Sequence, residues 1–234
     1  MTDIAHQPEP LTIGIVLYPG FTLLDMAGPQ SALGLHGRTY LFSPTLDPVM
    51  SDSGIALVPT TTFSEFQDTL DILLVPGGFG TNEAMRDKEL VAFLSRVAGA
   101  ARYIGSVCSG SLLLGMAGLL EGRRASTHWA ALDVLKALGA VAVQERVVCD
   151  ANVWTGGGVT AGIDFGLRLL AELRGEQVAK LTQLMMEYDP EPPFATGNPR
   201  DAGPELVAAA RAVLGEDKVQ EAISIAATRT KPRS

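Results

Sequence analysis

The sequence predicts an α/β fold, a doubly wound sandwich in which helices cover both faces of a mostly parallel sheet. Two observations carry that prediction. Residues 11–18 (LTIGIVLY), 71–78 (DILLVPGG) and 101–108 (ARYIGSVC) are near-continuously apolar, the pattern of strands buried on both faces. Each run leads into a glycine-containing turn or a segment of helical periodicity, and strand–helix alternation of this kind builds parallel sheets.

In chain order, the first strand is followed by a helix over about 21–35. Residues 49–62 (VMSDSGIALVPTTT) read as a small strand pair around a Ser-Asp-Ser-Gly turn. The second apolar run precedes a helix over about 82–99. The third, ending at Cys108, is joined almost directly to a helix over about 109–120. Further helices are expected at about 127–138 and 160–173, with a hairpin at 141–155 turning on Asp150-Ala151-Asn152. Pro190, Pro192, Pro193, Pro199 and Pro204 predict an extended loop from Asp189. Two helical pieces broken at Gly215 complete the chain. The resulting division is a flexible N-terminus (1–10), one α/β domain (11–188), and a Pro-rich loop with C-terminal helices packed on that domain (189–234).

Composition narrows the function classes. Of 234 residues, 47% are hydrophobic and 19% charged, so the chain can build a sizeable core. A net charge of −8 argues against a general nucleic-acid binder, which needs a basic face. The longest apolar stretch, SLLLGMAGLL, is about half a membrane span. The start, MTDIAHQPEP, has neither the basic nor the apolar region of a secretory signal, so a cytoplasmic protein without a membrane partner is expected. Two cysteines, Cys108 and Cys149, make neither a disulfide framework nor a zinc set, and no metal is expected.

Cys108 is the residue that points to chemistry. A strand running into a helix through a cysteine resembles the nucleophile elbow of hydrolases, although Ser106-Val107-Cys108-Ser109-Gly110 lacks the leading glycine of that motif. An ordinary thiol is only about 3% ionised at pH 7, and lowering its pKa to about 6 takes roughly 3.4 kcal/mol. A helix terminus supplies roughly 0.3–1 and at most about 2 kcal/mol, so another donor is needed, and Ser109 is nearest. Against this stands the ordinary role of a free cysteine as a small buried hydrophobe.

A nucleophilic thiolate needs a proton-handling partner. His6 falls in the terminal segment, His36 closes a helical segment, and His128 sits at a helix start capped by Ser126 or Thr127; none adjoins Cys108 in sequence. Asp25 lies between Leu24 and Met26 in an apolar segment, where burial would raise its pKa and suit it to exchanging protons. It reads equally as a helix cap. Gly77 and Gly78 could aim backbone N–H groups at a developing negative charge, or could be plain loop glycines. Neither PGGFG, CSGS nor TGGGVTAGID matches a nucleotide-phosphate motif, and no cofactor is expected. Trp129 and Trp154 could line a pocket or simply fill the core.

Taken together, LDMAGP, ILLVPGGFG, SVCSGSLLLGMAGLLEGRRASTHW, ERVVCDANVWTGGGVTAGIDFGLRLLAEL and MMEYDPEPPF resemble the ThiJ/PfpI family of the class I glutamine amidotransferase-like superfamily, and within it the bacterial isocyanide hydratases. The similarity runs over about residues 11–200. It implies a flavodoxin-like sandwich, a homodimer, Cys108 as nucleophile, and Asp25 as the carboxyl group beside it. The hydratases carry threonine after the cysteine, and Ser109 keeps the hydroxyl. Gly157, Gly158 and Val159 fall at the helix start facing the cysteine, where the hydratases tend to have isoleucine. The implied reaction adds water to a small isocyanide through a cysteine thioimidate, giving an N-substituted formamide. The resemblance extends to regulators with an added DNA-binding half, for which the roughly 45 residues after Asp189 leave little room. A redox-responsive cysteine and a glyoxalase-like activity on small dicarbonyls are further alternatives.

Overall fold

The protein is described by a computed structural model covering residues 9–229; His6 and residues 1–8 of the expected flexible N-terminus lie outside the described residues. The chain opens with β1 (Leu11–Val16), α1 (Leu23–Leu33), a single 3₁₀ turn, and β2 (Gly37–Ser43). A small antiparallel pair, β3 (Val49–Met50) and β4 (Ala56–Leu57), encloses the predicted Ser-Asp-Ser-Gly turn and precedes β5 (Thr61–Thr62). Next come β6 (Ile72–Val75), α2 (Thr81–Arg86), α3 (Lys88–Ala98), β7 (Tyr103–Ser106) and α4 (Gly110–Met116). Then follow β8 (Arg124–Ala125), a 3₁₀ turn Trp129–Ala131, α5 (Leu132–Ala137), β9 (Val141–Ala142), β10 (Val147–Asp150) and β11 (Val153–Gly156). The chain ends with α6 (Ala161–Arg174), α7 (Glu176–Met185), α8 (Pro199–Ala202), α9 (Pro204–Leu214) and α10 (Glu216–Ala227).

Seven strands form one sheet in the order β10-β11-β7-β6-β1-β2-β5, parallel except at the β10–β11 hairpin. The three apolar runs are its central strands, and all four residues of β6 are buried. Two helix groups sandwich it. Helices α1, α6 and α7 pack together; α2, α3, α4, α5 and α10 form the other layer. No helix among the described residues is long and apolar enough to cross a membrane.

Several boundaries differ from those predicted, for local reasons. The expected helix 82–99 is two helices, because Asp87 takes an extended backbone and accepts hydrogen bonds from Glu89 and Leu90 N–H, capping α3. The helix at 109–120 stops at Met116, ahead of Gly118 with φ 80°. The expected helix at 127–138 starts as the 3₁₀ turn. In the proline-rich segment, Pro199 and Pro204 occupy the first helical positions of α8 and α9, where proline has no N–H to lose. Besides α8, formed inside the expected loop, and the two-residue β8, two longer elements were not predicted. β2 mixes Arg38, Thr39 and Tyr40 with its apolar residues and is fully buried only at Phe42 and Ser43, and α7 buries only Ala179 and Thr182.

Candidate active site

Val107 and Cys108 leave the sheet at the end of β7, and the backbone turns there through φ 56° at Cys108. A left-handed conformation at a residue with a Cβ costs roughly 1–3 kcal/mol and persists only where surroundings enforce it. Here the Cys108 N–H donates to the carbonyls of Gly157 (2.7 Å) and Gly156 (3.2 Å). Its own carbonyl accepts from the hydroxyls of Thr127 (3.1 Å) and Ser111 (3.3 Å). The turn is tight because α4 begins with Gly110, where a Cβ would fall 2.1 Å from the Val75 carbonyl oxygen. The result projects the sulfur into a cavity from the C-terminal edge of the parallel strands, where open α/β sheets bind ligands.

Asp25 lies in the first turn of α1, but it is not the helix cap: Thr22 occupies that position. The residue is 0% exposed. Its Oδ2 accepts the Gly77 N–H at 2.9 Å, and its Oδ1 has no hydrogen-bond partner. Burial raises the carboxyl pKa to about 7, with the charge of Asp52 adding to the effect; the Gly77 N–H and the Cys108 thiol pull the other way. Burial also pushes the Cys108 thiol well above its ordinary value, helped by the negative charge of Asp25. The N–H groups of Ser109 and Val159 and the Ser109 hydroxyl favour the sulfur anion against these larger effects. Of the N–H groups expected from the start of this helix, those of Ser109, Gly110 and Ser111, only Ser109 acts on the sulfur, while Gly110 N–H donates to the Val107 carbonyl; the resting thiol is protonated. Two anions cannot share so dry a site, and the pair titrates as a unit.

The other predicted residues divide between the sulfur's surroundings and positions away from it. Val159 N–H faces the sulfur, as does Ser109. Gly157 holds the Cys108 N–H through its carbonyl, and Gly158 packs against the His128 ring. Gly77 and Gly78 adjoin the site, but their N–H groups do not point at a vacant oxyanion position: one holds Asp25 and the other donates to Ser109 Oγ at 3.0 Å. A Cβ on Gly77 would stand 2.5 Å from Ser109 N and 3.0 Å from Asp25 Oδ2. Gly77 is therefore where the loop after β6 slots between Asp25 and Ser109. His128 lines the cavity with its pKa lowered by burial, and its Nδ1 accepts from Ala130 N–H at 3.4 Å, so the ring is a neutral wall. His36 bonds Thr182, away from this cavity. Cys149 is exposed on β10, Trp154 is core, and Trp129 lies under the Arg211 guanidinium.

The cavity has a volume of about 300 Å³. Its floor is Cys108, Ser109, Gly78 and Val159. Its far wall comes from the end of α9 and from α10: Leu214, Lys218, Val219 and Ala222. The carboxamide of Asn82 ties that wall down, donating to the Lys218 carbonyl (2.9 Å) and the Glu221 carboxylate (2.8 Å). Thr22 and Asp52, bonded to each other at 2.5 Å, stand at another side. Sequence reasoning missed Thr22, Asp52, Thr81 and the whole α10 wall. Only Thr81 had a local signal, its place directly after PGGFG. Among the described residues, no three His, Cys, Asp or Glu side chains gather closely enough to hold a metal ion.

Known proteins are similar to this chain over most of its length. The model of the DJ-1/PfpI family matches residues 12–172. Isonitrile hydratase of Pseudomonas putida is 48% identical over 203 residues, 86% of this chain and 89% of that protein. The HTH-type transcriptional regulator GbdR of Pseudomonas aeruginosa is 31% identical over 191 residues, of which this chain spans about half the length, 52%. A crystal structure of a ThiJ/PfpI family protein from Pseudomonas syringae superposes with a TM-score of 0.91 at 43% identity, covering 97% of this chain and 95% of the other.

Proposed function

The chain belongs to the DJ-1/PfpI family, and on that premise we propose that it is an isocyanide hydratase working through Cys108. The observation that carries the proposal is the pairing of a cavity-facing cysteine with one fully buried carboxyl group, with no basic side chain among the described groups that act on the sulfur. That arrangement suits a reaction in which a single acid must give and take protons in turn. The high identity to a relative named isonitrile hydratase supports it.

The proposed course begins with Asp25 as carboxylate and Cys108 as thiol. As the thiol proton moves to Asp25, the negative charge that opposed ionisation of the sulfur disappears, so the transfer removes part of its own obstacle. The sulfur anion, held by the Ser109 and Val159 N–H groups, attacks the terminal carbon of R–N≡C. Asp25 delivers its proton to that carbon, giving the thioimidate R–N=CH–S–Cys108 and a carboxylate again. The carboxylate then takes a proton from water as the water oxygen adds to the same carbon, and passes it to nitrogen. Collapse of R–NH–CH(OH)–S–Cys108 expels the sulfur, which recovers its proton from the hydroxyl, and releases R–NH–CHO. Every proton is accounted for with one carboxyl group and no histidine. The enzyme is proposed to act as a cytoplasmic homodimer, an expectation that rests on family resemblance.

The test is turnover of cyclohexyl isocyanide to N-cyclohexylformamide, followed by chromatography. Wild type converts it; Cys108→Ala is expected to fall by at least about 10³-fold, the scale on which loss of a covalent nucleophile is felt. Wild-type protein inert to isocyanides but active on methylglyoxal would overturn the reading in favour of a glyoxalase-like one.

A further inference from the structure

We infer that Thr81 is a positioning residue that parks the Ser109 hydroxyl proton away from Cys108 in the resting site and releases it when the sulfur becomes an anion. The inference comes from counting protons in a buried cluster. Thr81 is the first residue of α2, almost fully buried, yet it lines the cavity beside Ser109.

Three hydroxyl groups meet there, each with one proton. Tyr18 donates to the Pro76 carbonyl at 2.8 Å, and a carbonyl can only accept, so that proton is engaged. Thr81 Oγ1 lies 2.7 Å from the Gly78 carbonyl and 2.7 Å from Ser109 Oγ, with the Tyr18 oxygen farther off at 3.2 Å. Ser109 Oγ already accepts the Gly78 N–H at 3.0 Å. With Thr81 donating to the Gly78 carbonyl, its 2.7 Å contact with Ser109 needs the Ser109 proton. That proton then points at Thr81 and not at the sulfur.

The alternative is a concerted turn of two hydroxyls. Thr81 donates to Ser109 Oγ, and Ser109 donates to Cys108. The Gly78 carbonyl is not orphaned by this, because it also accepts the Thr81 backbone N–H at 3.1 Å. Both arrangements keep the cluster satisfied, and they differ in where the Ser109 proton points. No covalent bond changes; the protons only rotate about their oxygens. A charge on sulfur favours the second arrangement, since a hydrogen bond to an anion is about twice as strong as a neutral one.

Deleting the Thr81 hydroxyl therefore has an unexpected sign. In Thr81→Ala the parking acceptor is gone, and among the described residues the one other carbonyl paired with Ser109 Oγ, that of Gly78, lies at 3.5 Å, longer than a normal O–H···O bond. The Ser109 proton then faces the sulfur permanently, and ionisation no longer requires surrendering a neutral bond. A residue that merely held the site together would, on removal, make Cys108 less reactive.

The inference rests on Cys108 being the proposed nucleophile, but its test uses no isocyanide, so failure here leaves the hydratase reading standing. The rate of iodoacetamide alkylation is measured against pH by mass spectrometry of the Cys108 peptide, which keeps exposed Cys149 out of the signal. Thr81→Ala is expected to alkylate three- to ten-fold faster than wild type below the thiol midpoint, and Thr81→Ser to restore the wild-type profile. In a Ser109→Ala background, Thr81→Ala should add nothing. An unchanged or slower rate, or an acceleration that persists without Ser109 and so reflects a wider cavity, overturns the inference. The backbone bonds that start α2 do not involve the Thr81 side chain, so folding of the variant is expected; should it fail, Thr81→Val, which keeps the shape and lacks the hydroxyl, carries the same comparison.

Discussion

The floor and the far wall of the cavity are built on opposite principles. The floor comes from strand ends and the turns that follow them: Gly77 after β6, whose backbone holds Asp25 and Thr22, and Cys108 after β7, whose N–H is held by Gly157 after β11. The wall comes from α10, far away in sequence, held by the side chains of Asn82 and Arg86 on α2 and by Arg229 reaching the Gly115 carbonyl. Backbone positions are fixed by the sheet itself, whereas side-chain tethers on a helix can change without unmaking the fold. The floor therefore sets the chemistry, and the wall sets what fits above it.

The sharpest way to test that division is Asp25→Asn, which keeps the shape of the floor and removes its proton carrier. Turnover should fall by 10³-fold or more, as expected when an acid that serves two steps is lost. Stability should move the other way. The folded-state pKa of Asp25 is raised to about 7 from 3.8, so the folded protein keeps a proton that the unfolded chain releases. The wild type consequently loses stability as pH rises from about 4 to about 7, by up to about 4 kcal/mol, and no further above that. Asparagine does not titrate, so the variant should melt higher than wild type at pH 8 and close to it at pH 4. Equal melting temperatures at pH 8 would show that Asp25 is solvated, and the floor would lose its acid.

Gly77→Ala tests the floor without replacing either reacting group. The added Cβ meets Ser109 N at 2.5 Å, Ser109 Oγ at 2.6 Å and Asp25 Oδ2 at 3.0 Å, two of them closer than any stable contact. The β6–α2 loop must shift outward. Overpacking of this kind costs roughly 1–3 kcal/mol in stability, and a displacement near 1 Å at reacting groups reduces turnover by about 10²-fold. A variant with wild-type kinetics would mean that the close approach of Gly77 to Asp25 and Ser109 does not set the geometry of the reacting pair.

The same division governs what could be read from the sequence. The central strands, the elbow at Cys108 and the hairpin turning near Ala151 were legible because each is a local pattern of apolar period, glycine and turn residues. Asp25 was legible as an anomaly, a carboxylate in an apolar run, and so was Gly77 as a glycine, though its N–H proved to hold Asp25 instead of a developing charge. The titration of Cys108 was not legible: Ser109 as a donor was foreseen, but the stronger effects of burial and of Asp25 arise only when the start of α1 brings that carboxyl group to Cys108. Nor was the wall. Val219 and Ala222 have the spacing of any amphipathic helix, and nothing in residue order says that their apolar face meets α2 and α5 over a cavity.

Ala222→Leu asks the smallest question, whether the wall acts on fit alone. Ala222 is buried in α10 and faces the cavity, so a leucine there occupies space that a substrate's substituent would take. Helix propensity is nearly unaffected, since alanine and leucine are both strong helix formers. If the floor alone performs the chemistry, the added side chain should raise KM for cyclohexyl isocyanide by about 10-fold, the scale on which a methylene or two is felt in a snug apolar site. It should leave kcat within about 2-fold, because uniform binding is lost and no interaction unique to the transition state is touched. For an isocyanide with a small alkyl group, neither constant should move by more than about 2-fold. A fall in kcat for both substrates would show instead that α10 shapes the floor through its packing on α2, and the separation between chemistry and fit would have to be abandoned.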